Sequence, residues 1–108
     1  MKWTFCMPLL AASVACAPAL AQDAKAGRIK ASSQCAVCHG QDGIAQLPTA
    51  ANLAGQQEMY LVKAMQDFRS GARSNEMMTV VAKALSDADI ANLAAWYSSI
   101  KVTVQPPQ

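Results

Sequence analysis

A single histidine, His39, is the scarcest functional residue of a 108-residue chain that is only 6% aromatic and 15% charged. Each shortage excludes something. With so few charges and an apolar share of 53%, the chain is neither a disordered protein nor a coiled coil. Neither sign of charge dominates. The formal net charge of +2 is too weak for a nucleic-acid footprint or an anionic membrane surface. Five glycines and five prolines are too few for collagen-like or low-complexity sequence. Strand alternation and internal repeats are also missing, and the length is that of one domain.

The first residues read as a leader. Lys2 is the only charge before Asp23, and Trp3 to Ala21 is an almost unbroken apolar or small-residue run ending in Ala19-Leu20-Ala21. That is the form of a secretory signal peptide cleaved after Ala21. Pro8 and Pro18 interrupt the run, its second half is mostly alanine, and no basic cluster follows, all of which argue against a membrane-spanning anchor. A minor variant is lipidation at Cys16, since Ser13-Val14-Ala15-Cys16 loosely resembles a lipobox. The expected organisation is a signal peptide over 1–21 and one domain over 22–108, exported to the periplasm. A membrane tether arises only if Cys16 is lipidated or the leader stays uncleaved.

Removing the leader takes away one of nine basic residues and none of the seven acidic ones, which leaves +1 over 87 residues. Cys6 and Cys16 leave with it, so only Cys35 and Cys38 remain. A domain of this size buries about 60–65% of its unfolded surface and is marginal without a metal, disulfide or cofactor.

The class predicted for residues 22–108 is all-α. Asp23 to Cys38 is free of proline and rich in Ala, Lys, Arg and Gln, so it is helix-compatible. Gly27 weakens that stretch unless another backbone must approach closely there. Residues 39–55 carry Gly40, Gly43, Pro48, Asn52 and Gly55, which is loop chemistry. A helix returns from Gln57 to Ser70 with Leu61, Met65 and Phe68 on one face, and Gly71 stops it. Asn75 is placed to cap a short helix over Glu76 to Ala84, with Val81 and Leu85 inward. Ser86-Asp87-Ala88-Asp89 is a capping-box pattern opening a last helix to about Ile100. Ile90, Leu93, Ala94, Tyr97 and Ile100 form its apolar stripe. The tail Val102–Gln108 is expected to fray.

The informative residues are Cys35-Ala36-Val37-Cys38-His39. Cys-x-x-Cys-His is the attachment signature for a c-type haem. Two intervening residues let one helical turn carry both thiols to the two vinyl groups on one side of the porphyrin. The adjacent His39 then serves as the proximal iron ligand. Other uses of the motif fit less well. Zinc wants four ligands, and residues 22–108 hold no further Cys or His. A thioredoxin-like redox pair needs a strand–helix context that is absent. A disulfide across two residues would close too short a loop to stabilise much.

The sixth iron ligand separates electron transfer from ligand chemistry, because an open face binds small molecules and a filled one passes electrons. Without a second histidine, the soft candidates are Met59, Met65, Met77 and Met78. Met59 and Met65 fall in an amphipathic helix and read as core filling. Met77 and Met78 follow the turn at Gly71 to Asn75, well separated from His39, and spacing alone does not choose between them.

Several stretches together carry a family resemblance. They are Cys35-Ala36-Val37-Cys38-His39-Gly40, Asn52-Leu53-Ala54-Gly55-Gln56, Tyr60-Leu61-Val62, Phe68 through Met78, and Leu85 through Ile90. Residues 22–108 resemble a small class I cytochrome c, the unit that bacterial two-haem periplasmic cytochromes duplicate. The resemblance implies a class I cytochrome c fold, with four or so helices around one covalently attached haem c per chain. An Arg-x-Asn-x-x-Met pattern carried over from Arg73 selects Met78 as distal ligand, with Met77 its competitor. Gly27 is implied to let the first helix cross the last near Trp96 and Tyr97. One departure stands out. The family's proline before Asn-Leu-Ala-Gly, whose carbonyl accepts the proximal His ring N–H, is replaced by Ala51.

The implied function is that of a periplasmic single-electron carrier, not an enzyme. Its partners would be an electron donor and an acceptor docking transiently at the haem edge, with no nucleic acid and no small-molecule substrate. The alternatives are a cytochrome subunit of a periplasmic oxidoreductase complex and a haem enzyme or gas-binding protein with an open iron site.

Overall fold

The computed structural model describes Met1 and residues 22–108; the expected leader, its processing site at Ala21 and Cys16 lie outside the described residues. Five helices follow in order: α1 (Ala24–Gln34), α2 (Ala36–His39), α3 (Glu58–Ser70), α4 (Glu76–Lys83) and α5 (Asp87–Ser99). No strand occurs among the described residues, as the all-α reading expects. No described helix is long and apolar enough to cross a membrane.

Local chemistry starts and stops the helices where the sequence suggests. The Asp23 carboxylate accepts the Lys25 and Ala26 N–H groups and opens α1. Gly71, at φ 88°, takes the left-handed conformation that ends α3. Ser86 and Asp89 exchange side-chain and backbone hydrogen bonds, a complete capping box. One boundary differs from expectation. Helix does not run unbroken from Asp23 to Cys38: Cys35, at φ −117° and ψ −29°, is a turn residue between α1 and α2. Its N–H still bonds the Ala31 carbonyl, while its own carbonyl accepts His39 N–H at 2.9 Å to start a separate turn.

The helices are held by a thin core. Ala31, Leu61, Leu85, Ile90, Leu93, Ala94 and Tyr97 form one buried cluster, with Cys35, Leu53, Val62, Met65, Trp96 and Ile100 packed partly against it. Met65 therefore fills core as expected, but Met59 does not: it is 87% exposed. The reason is angular, since two residues before Leu61 is about 200° around the helix, on the opposite face. Arg69 ties the end of α3 to the α4–α5 junction by donating to the Leu85 carbonyl at 3.1 Å and pairing with Asp87. The tail from Val102 to Gln108 is exposed and without regular structure.

The α1–α5 crossing positions everything else. A β-carbon built on Gly27 would stand 1.9 Å from the Asn92 carbonyl oxygen and 3.0 Å from Trp96 Cβ. The two backbones meet where one has no side chain, which is the use the resemblance implies for this glycine. Around that point the Asp23 N–H reaches Asn92 Oδ1 at 2.9 Å, Lys30 pairs with Asp89 at 3.2 Å, and Arg28 lies over the Trp96 ring. Gly27→Ala is expected to destabilise the cofactor-loaded protein by about 3 kcal/mol or more, the upper range for overpacking a backbone contact. Thermal melting of both forms checks this, and equal midpoints would remove the close crossing.

Candidate functional site

The two cysteines sit on one helical turn. Cys35 occupies the break between α1 and α2, Cys38 lies in α2, and His39 closes it before Gly40. Both thiols are free and half-buried. Burial pushes the Cys35 thiol up, the neighbouring Cys38 adds to this, and the Tyr97 hydroxyl and Lys30 act against it.

His39 is 9% exposed, and its Nδ1 lies 2.7 Å from the Ala51 carbonyl oxygen. A carbonyl only accepts, so Nδ1 carries the proton and Nε2 keeps its lone pair. The loop that brings Ala51 there is itself fastened. The Gly43 carbonyl accepts the N–H groups of Leu53 at 2.7 Å and Ala54 at 3.0 Å. Asn52 Oδ1 accepts Ala45 N–H at 2.7 Å, and Gly55 N–H reaches the Tyr97 carbonyl at 2.9 Å. Gly43 is needed for this closure: its φ is 75°, and a β-carbon there would lie 2.6 Å from Ala54 N. Replacing the family's proline by Ala51 thus leaves the hydrogen bond in place.

Met77 and Met78 both fall in the first turn of α4, and the Asn75 side chain accepts both of their N–H groups at 3.0 Å. They differ in exposure, Met77 being 60% exposed and Met78 half-buried. Arg73 anchors this turn to α3: its N–H bonds the Asp67 carbonyl at 3.0 Å and its guanidinium stacks 4.6 Å over the Phe68 ring. Helix α4 rests on α3 and α2 on α1, so the histidine and the methionines belong to different halves of the fold.

This arrangement fits a covalently held haem. Two thiols on one turn and an adjacent imidazole with a free, oriented nitrogen are the donor set such a group needs. The zinc alternative has no support: no group of three or more His, Cys, Asp or Glu converges on a metal-ion position among the described residues.

Comparison with known proteins agrees. The family model for cytochrome c matches residues 24–101. The chain belongs to the cytochrome c family. Its cofactor is accordingly covalently bound haem c. It is 45% identical over 84 residues to cytochrome c4 of Pseudomonas aeruginosa, a match spanning 78% of this chain and 41% of that relative. It is 44% identical over 82 residues to cytochrome c-554(548) of Halomonas halodenitrificans, covering 73% of this chain and 98% of the relative. The crystal structure of reduced recombinant cytochrome c4 from Pseudomonas stutzeri superposes with a TM-score of 0.70 at 40% identity, over 78% of this chain and 48% of that one. The class I cytochrome c fold expected from the sequence is therefore the fold of this chain. The chain spans about two fifths of the cytochrome c4 sequence it matches and nearly all of cytochrome c-554(548).

Sequence reasoning missed three contributors to this cytochrome site. Asn52 closes the loop, Arg73 stacks on Phe68, and the Tyr97 carbonyl holds the loop at Gly55. Asn52 carried a usable signal, a polar residue with turn preference inside a glycine-rich loop. The other two depend on tertiary placement. The Ala51 N–H makes no hydrogen bond among the described residues, so proline at this position costs none. Ala51→Pro is expected to keep the bond to His39 and stabilise the protein by about 0.4–1 kcal/mol through a stiffer unfolded chain. Denaturant titration measures this, and a loss of stability would show that the loop at Ala51 rejects proline's backbone angle.

Proposed function

We propose that residues 22–108 form a periplasmic, single-haem electron carrier with Cys35 and Cys38 as thioether attachments, His39 as proximal ligand and Met78 as distal ligand. The observation that carries this reading is the His39 Nδ1 to Ala51 hydrogen bond beside two half-buried free thiols. Haem c supplies a one-electron Fe(III)/Fe(II) couple when bound. His39 is held in the tautomer that presents Nε2, and the carbonyl partner fixes the plane of the ring. Met78 is favoured over Met77 by its partial burial and by the family spacing from Arg73. A neutral thioether there favours the reduced metal and raises the potential relative to a second imidazole. With His39 and Met78 both serving as ligands, no easily vacated site would remain for catalysis or for a small-molecule substrate.

The apolar leader expected over 1–21 supports export, and c-type attachment takes place outside the cytoplasm. The surface supports brief docking to donor and acceptor proteins of respiratory or dehydrogenase systems. Val37 and Ile44 near the attachment turn, and Met77 and Val80 on α4, are exposed apolar side chains. Such patches suit small, short-lived interfaces. Residues 22–108 carry +1, and two ionised propionates bring the total to about −1, so no sign of charge dominates recognition.

Met78→Ala is expected to abolish the long-wavelength methionine–iron charge-transfer band of the oxidised protein and to open the reduced protein to carbon monoxide, whereas Met77→Ala leaves both unchanged. The opposite pattern would move the ligand to Met77. A wild-type protein that lacks the band and binds carbon monoxide at neutral pH would instead be a haem enzyme or gas binder. The rate of reduction by its physiological donor should change by less than about tenfold between low and physiological ionic strength, the bottom of the range that electrostatic steering supplies. Stopped-flow kinetics at varied salt check this, and a steep fall would mean that charge guides the encounter.

A further inference from the structure

Met78 lies where burial gives α4 little hold. The helix is anchored at its far end, where Ala82 is fully covered and Leu85 follows in the buried cluster. Ahead of Met78 the chain from Gly71 to Met77 is exposed, and Met78 and Thr79 are only half-buried. A helical turn packed at one end and open at the other frays unless its own hydrogen bonds hold it.

Those bonds come from two side chains. The Asn75 side-chain oxygen accepts the Met77 and Met78 N–H groups at 3.0 Å. The Thr79 hydroxyl oxygen accepts the Asn75 N–H, also at 3.0 Å, and the Asn75 carbonyl accepts the Thr79 N–H in return. Three of the four N–H groups that a helix start leaves unpaired are satisfied in this way. The arrangement is a capping box in which Thr79 stands one position later than the usual glutamate. It encloses Met77 and Met78, and the Met78 N–H is one of its links. Packing alone does not ask for the hydroxyl, since valine has the same shape as threonine without it. On the near side, Arg73 N–H on the Asp67 carbonyl ties the preceding turn to α3. Opening of the first turn is therefore confined to the stretch between Arg73 and Ala82.

Resting on the assignment of Met78 as distal ligand, we infer that Asn75 and Thr79 are positioning residues whose reciprocal clasp governs how readily the Met78 sulfur leaves the metal. A neutral thioether brings no charge attraction of its own, so its hold depends on how closely the chain confines it. With the clasp closed, the Met78 backbone has one position and only the side chain moves. With the clasp open, the first turn samples other backbone angles and the sulfur is no longer aimed. Release then follows the opening of one helical turn rather than the stability of the whole fold.

The experiment uses the oxidised mature protein with haem attached and imidazole as the incoming ligand. The wild type must first show the methionine–iron charge-transfer band and Met78→Ala must lack it; any other result would overturn the ligand assignment and this inference together. Stopped-flow decay of the band at saturating imidazole then gives the release rate. Thr79→Val and Asn75→Ala should each raise it by about fivefold, the population change that loss of a typical helix cap produces. Thr79→Ser and Asn75→Asp retain an acceptor oxygen and should keep the wild-type rate. Ser86→Ala removes the side-chain cap of α5. It should lower the unfolding midpoint and leave the release rate unchanged. Wild-type rates in both Thr79→Val and Asn75→Ala, or an equal acceleration by Ser86→Ala, would overturn the clasp while leaving Met78 as ligand.

Discussion

The contact on which the rest depends is the 2.7 Å hydrogen bond between His39 Nδ1 and the Ala51 carbonyl. An imidazole has two nitrogens and free rotation about its side-chain bonds, so a histidine next to two cysteines does not by itself present a defined electron pair. The carbonyl removes both freedoms by fixing the proton on one nitrogen and the plane of the ring. The loop between Gly40 and Gln57 is built to deliver that single oxygen. The double acceptor at Gly43, the Asn52 side chain and the Gly55 link to Tyr97 hold the loop's two arms to each other and to α5.

The same economy shows in the packing. The buried cluster contains two alanines, and Ile90 is the only large side chain that is fully buried among the described residues. A core of this size is at the edge of what stabilises a domain of fewer than a hundred residues. Haem c is a rigid apolar plate, and attaching it covalently adds buried surface without the conformational cost of ordering side chains. Cofactor and core are therefore one problem in this protein. The residues that orient His39 also fasten the loop to the last helix.

Much of this was legible in the sequence because it is local. Asn75, Ser86 and Gly71 mark helix ends through their own hydrogen bonds or backbone angles, and Cys35 through His39 is a contiguous chemical signature. What escaped is set by tertiary placement. Propensity runs smoothly through Cys35, so nothing in it announces the break between α1 and α2 there. Met59 lies in a helix whose apolar period is real, yet the period alone did not exclude it from the buried face. The stacking of Arg73 on Phe68 and the hold of the Tyr97 carbonyl on Gly55 depend on elements meeting in space. The Ala51 carbonyl has no side-chain signature at all, and only the family resemblance pointed to it.

The bare backbone at Gly27 has a mechanical consequence. Sliding α1 by one turn along α5 would bring Asp23, Ala24, Lys30 or Ala31 against the Asn92 carbonyl, and every one of these has a β-carbon where Gly27 has none. The pair therefore has a single detent, like a notched rail that seats at one stop. Cys35 follows eight residues further along the chain, so the notch sets where its sulfur lies relative to α5.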